Sequence, residues 1–335
     1  MSSLILSIVL AWSAGSPAGS SSVVFAASLS EGVGEGASEG ASEGASEGAS
    51  ESGAAPATAP ATNPSSASAA SPPASTASAP PAPPPLVKDR LEQMLMAGDE
   101  AMIVQSFRRH PNAVLPFIDE YLEGGLATIE KGTAPPTGPP SLVSFRTGVK
   151  FAELADRAFS EAIFTEYAAN FASWNPAEQA SFREGQKLFG EGRKLRKEKP
   201  EDALASFRGS FAKAEPLGDF WGMAMAQRAM AETSRALGRM EPAQEAASKA
   251  SELYGRLQMV KDQVSSLILV GDLRNELNLQ DRGVGHYRMA LQAMGRSTDQ
   301  SGRKEVVDKM AAVLEKMGRG DDVKRLLEQE AAQGR

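Results

Sequence analysis

The sequence predicts an all-α protein: a solenoid of stacked helix pairs, preceded by a small helical region and by a disordered N-terminal third. Three observations support this fold class. A forty-residue period runs through the C-terminal half without drift. Between residues 86 and 175, apolar side chains recur at helical spacing, and no stretch alternates as a strand would. Before residue 86, Ala, Ser, Gly and Pro dominate, with almost no large apolar residue after Phe25.

Residues 1–26 have the pattern of a signal peptide. Leu4 to Trp12 is an apolar run of nine residues, shorter than the roughly 20 that a bilayer span needs. Val24-Phe25-Ala26 offers a small-x-small site that a signal peptidase can cut. No Lys or Arg precedes the apolar run, so an uncleaved anchor and a misassigned start stay open as alternatives. We therefore expect an exported protein: periplasmic, bound in the cell envelope, or secreted.

Residues 27–85 are predicted to form a disordered linker. From Glu31 to Glu51 a glutamate recurs every fourth residue among Gly, Ala and Ser. A helix there is disfavoured, because each Gly costs about 1 kcal/mol relative to Ala and glutamates at that spacing repel. From Ala55 to Pro85 the composition shifts to Pro, Ala, Ser and Thr, which favours an extended polyproline spacer.

Charge and cysteine content exclude several classes of function. The net charge is −7, but six acidic residues lie in the linker and all 35 Lys and Arg follow it. From residue 86 onward, 35 basic residues therefore face 36 acidic ones, a balance that gives no general attraction to nucleic acid. The basic run from Arg193 to Lys199 is interpreted as a solvated helix end. Without cysteine there is no disulfide, thiolate metal site or cysteine nucleophile.

Residues 86–175 are predicted to be a helical region without a sheet. Pro and Gly residues from Gly132 to Pro140 predict a loop. The predicted helices are Leu86 to Ala97, a second capped by Asp99 and ending at His110, a third from about Leu115 to Lys131 interrupted at Gly124-Gly125, and a long fourth from about Ser144 to Trp174.

Residues 176–335 contain the four repeats. Equivalent positions, forty residues apart, form four columns. The first column is Ala203, Ala243, Gly283 and Val323, and the column four residues after it is Phe207, Ala247, Tyr287 and Leu327. The column twelve residues before the first is Glu191, Ala231, Gly271 and Ala311, and the column five residues before it is Glu198, Gly238, Asn278 and Gly318. Small residues inside each helix let two helices approach closely. The Gly or Asn column permits the left-handed conformation that ends a helix. Each pair leaves an apolar flank, so stacking of neighbours builds the core.

These columns resemble tetratricopeptide repeats. The phrase from Leu237 to Ala246 is close to the family's turn between its two helices, and the forty-residue period is similar to the family's longer-repeat branch. The resemblance covers about 176–333 and is poorest in the first repeat. There Glu191 stands where a small residue is expected, Lys197 where an apolar residue is expected, and Glu198 where a glycine is expected. It implies a protein that binds another protein or a peptide.

The resemblance also implies that the first helix of each pair lines a concave face. The transferred columns give as partner-binding residues Arg196, Arg228, Glu232, Arg235, Ile268, Asp272 and Asn275, with Leu188, Asp308 and Glu315 beside them. Two interpretations stay open: an exposed helix face with its own ion pairs, or recognition of an acidic or mixed-charge segment. The Lys and Asn set with which one branch of the family grips a C-terminal carboxylate is missing, which argues against a chaperone-tail receptor.

The sequence offers no catalytic or metal motif, and we expect no cofactor. The only histidines, His110 and His286, have no partner at metal-ligand spacing. We therefore predict a non-catalytic adaptor that binds a peptide or helix of another protein, with self-association left open. The alternative is a membrane-tethered scaffold of the cell envelope, in which the membrane contact is the N-terminal anchor. An enzyme within Leu86 to Trp174 is a third hypothesis.

Overall fold

Thirteen α-helices and no strand make up the part of the chain that the structure, a computed structural model, describes: residues 86–132, 139–297 and 299–333. The predicted signal segment and linker lie outside these residues. Among the described helices, none has both the length and the apolar character that crossing a membrane requires. The all-α fold class is confirmed.

Five helices precede the repeats, and a short 3₁₀ turn, Glu215–Leu217, follows the seventh helix. The helices are α1 (Lys88–Ala97), α2 (Glu100–Arg109), α3 (Pro111–Glu130), α4 (Pro139–Phe159), α5 (Ile163–Ser173), α6 (Pro176–Leu195), α7 (Pro200–Ala214), α8 (Phe220–Ala236), α9 (Met240–Arg256), α10 (Val260–Glu276), α11 (Gln280–Met294), α12 (Arg303–Lys316) and α13 (Gly320–Gln333).

The forty-residue period corresponds to four helix pairs: repeat 1 (α6–α7), repeat 2 (α8–α9), repeat 3 (α10–α11) and repeat 4 (α12–α13). Their second helices begin at Pro200, Met240, Gln280 and Gly320, and each pair packs on the next. The turns inside repeats 2 to 4 pass through Gly238, Asn278 and Gly318, with φ of 72°, 59° and 73°. The predicted left-handed turn column is confirmed in these three repeats.

The first repeat keeps the same packing with a shift of one residue. Four residues separate α6 from α7, whereas three separate α8 from α9. Gly192 lies against the ring of Phe207, where an added Cβ would be 2.7 Å from the ring. Gly271 and Tyr287 make the same contact in repeat 3, at 2.6 Å. The assignment of Glu191 to the small-residue column was therefore wrong by one position, because the turn of repeat 1 is one residue longer.

The predicted long helix from Ser144 to Trp174 was also wrong, because the chain breaks it into α4 and α5. Ser160 has a φ of 58°, which ends α4 in the left-handed region. Asp156, from the last turn of α4, accepts the backbone N–H groups of Phe164 and Thr165 at 3.0 and 2.9 Å. The carboxylate thereby satisfies free donors at the start of α5 and fixes the turn.

The predicted interruption at Gly124-Gly125 was wrong as well, since α3 is continuous from Pro111 to Glu130. A Cβ at Gly125 would be 2.6 Å from the ring of Phe145 on α4, so this glycine permits close packing. The helix begins at its proline, the position that proline favours, and not near Leu115. Asp99 precedes α2 but makes no capping hydrogen bond. Of the predicted Gly132–Pro140 loop, 133–138 lie outside the described residues, and α4 begins at Pro139.

Helices α1 to α5 share one hydrophobic core with repeats 1 and 2, which runs from Leu91 to Met259. The indole N–H of Trp174 donates to the carbonyl oxygen of Leu217, in the turn between repeats 1 and 2, at 3.0 Å. Asn112 of α3 accepts the backbone N–H of Lys261, in the first turn of α10, at 3.0 Å. The pre-repeat helices therefore pack along the edge of the stack where one repeat joins the next.

Candidate partner-binding surface

Three of the predicted site residues form a cluster on the first helix of repeat 2. Arg228, Glu232 and Arg235 share one face of α8 because they are spaced i, i+4 and i+7. The Arg228 Nε atom donates to Glu232 Oε1 at 2.5 Å, and Arg196 reaches the same carboxylate from the end of α6. The Arg228 side chain is 11% exposed and that of Arg196 is 44% exposed. Glu232 therefore joins two arginines and links repeats 1 and 2.

Asp272 makes the corresponding link between repeats 2, 3 and 4. Lys309 Nζ of α12 lies 2.9 Å from the Asp272 carboxylate, and Arg235 Nη1 of α8 lies 3.8 Å from it. Arg235 also pairs with Glu276 at the end of α10. Seven side chains thus form a charged row on the first helices of the repeats and at the end of α6. It consists of two ion-paired groups: Arg196, Arg228 and Glu232 between repeats 1 and 2, and Arg235, Asp272, Glu276 and Lys309 across repeats 2 to 4.

Tyr287 supports this row from behind. Its hydroxyl donates to Asp272 Oδ1 at 2.6 Å and accepts from Asn275 Nδ2 at 2.9 Å. Burial, together with the hydrogen bond to Asp272, raises the pKa of Tyr287 far above its ordinary value. The hydroxyl therefore stays protonated, as its donor role requires. Asn275 is held beside Asp272 in this way and belongs to the same network.

The remaining predicted residues lie apart from the row. Ile268 is half-buried and packs against the core of repeats 3 and 4. Asp308 pairs with Lys304 one helical turn away, at 2.6 Å. Glu315 is exposed, and Leu188 is half-buried with its methyl group 3.2 Å from where a Cβ of Gly209 would stand. Of the seven residues predicted to bind a partner, Ile268 is the one that makes no contact in the polar network.

Sequence reasoning missed Lys309 and Glu276, although the sequence contains a signal for the first. Arg235, Asp272 and Lys309 are each 37 residues apart. This spacing is about one helical turn shorter than the repeat, because a side chain on one first helix contacts the next repeat's helix one turn lower. A search restricted to columns forty residues apart does not find it. The sequence analysis assigned Tyr287 only to the packing between the helices of a repeat. Its hydroxyl also forms hydrogen bonds with Asp272 and Asn275.

Two atoms of the network lack hydrogen-bond partners within the described residues. Arg228 Nη1 and Asn275 Oδ1 are both buried. A buried polar group without a partner costs about 1–3 kcal/mol. The row is therefore not fully satisfied by its own contacts, and a side-chain movement that exposes these two atoms would offer a partner one donor and one acceptor.

No constellation for metal chemistry is present in the described ranges. No group of three His, Asp or Glu side chains is placed to hold a metal ion there. His286 Nδ1 lies 2.9 Å from the carbonyl oxygen of Arg282, and burial lowers the pKa of this imidazole. Comparison with protein-family models and with curated proteins finds no match to this chain. The resemblance to tetratricopeptide repeats stays a prediction.

Proposed function

We propose that this protein is a non-catalytic adaptor of the tetratricopeptide-repeat class, which binds a peptide or helix of another protein along the charged row. The observation that supports the proposal is the row itself: paired charges of both signs on the first helices of four consecutive repeats. Stacked repeats hold such a surface in one arrangement before a partner arrives, and this lowers the entropy cost of binding.

The exposure of the row suits exchange with a partner. Arg235 and Glu276 are 35% and 37% exposed, and Lys309 is 33% exposed. Ion pairs that solvent reaches contribute only about 0–1 kcal/mol, so a partner of mixed charge replaces them at little cost. The pattern of charges then selects the partner and its register, because like charges brought together are unfavourable.

The test compares two double variants of the full chain in pull-downs from native cell-envelope extract. Arg228→Gln/Arg235→Gln removes two positive charges from the row. The matched control, Arg239→Gln/Arg319→Gln, removes two arginines that pair with Glu201 and Asp281 away from the row. We expect one protein to be captured by the parent and the control and lost with the row variant. The captured protein is then purified and its Kd measured against all three.

Equal capture by all three proteins would contradict the proposal, because the row would then be a solvated surface without a partner. Circular dichroism of each variant confirms that the helices are intact. A loss of capture counts only if the helical signal matches that of the parent.

We further propose that the protein is exported and that Leu4 to Trp12 is removed with a signal peptide. Mass spectrometry of the mature N-terminus tests this. A terminus near Ala27 supports a released adaptor. A terminus at Met1 or Ser2, with the protein in the membrane fraction, supports the membrane-tethered scaffold instead.

A further inference from the structure

The interface between the two helices of repeat 3 contains a cation and an imidazole where the neighbouring repeats have small or apolar residues. Arg274 of α10 and His286 of α11 approach each other there, with 3.4 Å between Arg274 Nη1 and His286 Nδ1. The equivalent pairs, forty residues away, are buried: Ser234 and Ala246 in repeat 2, and Leu314 and Leu326 in repeat 4. Repeat 3 therefore lacks apolar burial that stabilises repeat 4 at the same position, and such a local departure from the pattern is typical of a functional site.

The hydrogen bonds of His286 leave Arg274 without an acceptor. The Nδ1 atom of His286 lies 2.9 Å from the carbonyl oxygen of Arg282, one helical turn earlier. A carbonyl oxygen only accepts, so Nδ1 carries the proton in this contact and cannot also accept from Arg274. The Nε atom of Arg274 is buried and has no hydrogen-bond partner either. Within the described part of the chain, the guanidinium of Arg274 thus donates to no acceptor.

The local charge is positive, and no carboxylate balances it. Burial lowers the pKa of Arg274, and the nearby guanidinium of Arg282 lowers it further. Neither arginine forms an ion pair with any described acid, and the acids closest in sequence are engaged elsewhere: Glu276 with Arg235, and Asp281 with Arg319. A partly desolvated cation without a counter-ion is unfavourable. The arrangement therefore favours an anion from outside the chain.

The three basic groups are accessible and face away from the charged row. Arg282 is exposed, and Arg274 and His286 are half-buried. Asp272 and Glu276 of the row lie two residues before and two residues after Arg274 on α10. Because a helix turns by about 100° per residue, Arg274 points to the opposite side of α10. An anion bound at Arg274 would therefore not contact the charged row.

We propose that Arg274, Arg282 and His286 bind a phosphate group. Guanidinium groups donate paired hydrogen bonds to phosphate oxygens, and two arginines balance the charge of about −2 that a phosphate monoester carries at neutral pH. The bound anion also stabilises the protonated imidazole of His286, whose Nε2 then becomes a further donor. The phosphate is either the free inorganic ion or a phosphoryl group on a serine of another protein, since both present the same oxygen atoms.

Proton NMR of the full chain with labelled histidine tests the proposal, because the chain has only two histidines. Inorganic phosphate replaces chloride at constant pH and constant ionic strength. Burial lowers the pKa of His286 in the free protein, and the bound anion should raise it. We therefore expect a saturable shift of the His286 ring protons toward those of imidazolium, with no saturable shift for His110. An unchanged His286, or equal shifts of both rings, would overturn the proposal.

Titration with Nα-acetyl-phosphoserine N-methylamide separates the two sources of phosphate. Tighter binding of this probe than of inorganic phosphate assigns the site to a phosphorylated protein, and tighter binding of inorganic phosphate assigns it to the free ion. Nα-acetyl-serine N-methylamide is the matched control and should leave the His286 signals unchanged. A response to this control equal to that of the phosphorylated probe would overturn the proposal.

Three variants make the test specific. Arg274→Leu introduces the residue that repeat 4 has at this position, so it should fold at least as stably as the parent in urea unfolding and bind phosphate about tenfold more weakly or worse. Arg282→Gln changes an exposed side chain, should weaken binding several-fold, and keeps the test decisive if Arg274→Leu does not fold. Arg288→Gln removes an exposed arginine of α11 that lies toward Asp322 and should bind as the parent does. Parent-like binding by Arg274→Leu and Arg282→Gln would overturn the proposal, whatever the outcome for the charged row.

Discussion

Asp219 has two structural roles that oppose each other energetically. It precedes α8 and accepts the Gly222 N–H at 2.8 Å, which favours the ionised carboxylate. It is also 6% exposed and lies near Asp119 and Glu123 of α3 and Tyr167 of α5. Burial is the larger effect and raises its pKa to about 7.

This pKa predicts a stability that depends on pH. The folded protein holds the Asp219 proton more tightly than the unfolded chain does, so protonation of Asp219 adds to the free energy of unfolding. This contribution is fully present below the pKa of an unfolded aspartate and is lost as the pH rises through about 7. Between about pH 4 and pH 8, the free energy of unfolding of the parent should fall by up to about 4 kcal/mol more than that of Asp219→Asn.

Urea unfolding at a series of pH values measures this difference. The exposed acid Glu166 provides the control, since Glu166→Gln should keep the pH dependence of the parent. Equal pH dependence of the parent and Asp219→Asn would contradict the prediction.

In repeats 1 and 3, the two helices approach closely at a glycine that faces an aromatic ring. An added Cβ at Gly192 would be 2.7 Å from Phe207, and one at Gly271 would be 2.6 Å from Tyr287. Real Cβ atoms do not approach carbon atoms so closely, so the rings would have to move. Tyr287 cannot move freely, because its hydroxyl is bonded to Asp272 and Asn275. The packing of repeat 3 is therefore coupled to the charged row.

Gly271→Ala should destabilise the protein by about 1–3 kcal/mol through overpacking. Gly190→Ala is the matched control, because Gly190 lies inside α6 and a Cβ there meets nothing within 4 Å. That control should stabilise the protein by about 0.5–1 kcal/mol, since alanine favours the helix. Chemical denaturation of both variants checks the prediction, and a neutral Gly271→Ala would show that the Tyr287 ring adapts.

The break between α4 and α5 shows why helix limits here depend on more than local pattern. The apolar spacing continues across residues 144–174, which favoured one helix. The chain turns because Asp156 accepts two N–H groups of α5 and because Ser160 adopts a φ of 58°. A non-glycine residue in this region costs about 1–2 kcal/mol, and the buried contacts of Ile163, Phe164 and Tyr167 compensate.

The pre-repeat helices share one hydrophobic core with repeats 1 and 2. This core includes Phe171 and Trp174 from the pre-repeat region and Trp221 and Leu257 from repeat 2. A core of this extent predicts that α1 to α5 unfold together with repeats 1 and 2. In calorimetry of the full chain, we expect α1 to α5 and repeats 1 and 2 to unfold in one transition. The calorimetric and van't Hoff enthalpies of that transition should agree. Two separate transitions, one for each set of helices, would contradict the shared core.

Asn112 tests the same unit with one side chain. It caps α10 across 149 residues of sequence by accepting the Lys261 N–H. Asn112→Ala should lower the free energy of unfolding by about 1 kcal/mol. Asn112→Asp keeps an acceptor and should restore most of the loss, which distinguishes the cap from a simple packing effect. Denaturant unfolding measures these differences. An unchanged free energy of unfolding for Asn112→Ala would show that water replaces the cap.

Much of the candidate site could be predicted from the sequence, because repeats place equivalent residues on equivalent faces. Arg228, Glu232 and Arg235 follow a helical spacing, so their common face needs no tertiary information. Their partners required the structure. Lys309 contacts Asp272 at an offset of 37 residues, and Glu276 contacts Arg235 at an offset of 41. Such offsets depend on how one repeat is rotated against the next.

The sequence by itself determined the helix content, the forty-residue period and the left-handed turns at Gly238, Asn278 and Gly318, because these depend on local backbone energetics and on apolar periodicity. Only the tertiary structure decided that Asn112 caps α10, that Gly192 replaces Glu191 in the first repeat, and that Asp119 and Asp219 share one cavity. These features arise between helices far apart in the chain, where contact is set by how whole elements pack and not by the neighbours of each residue.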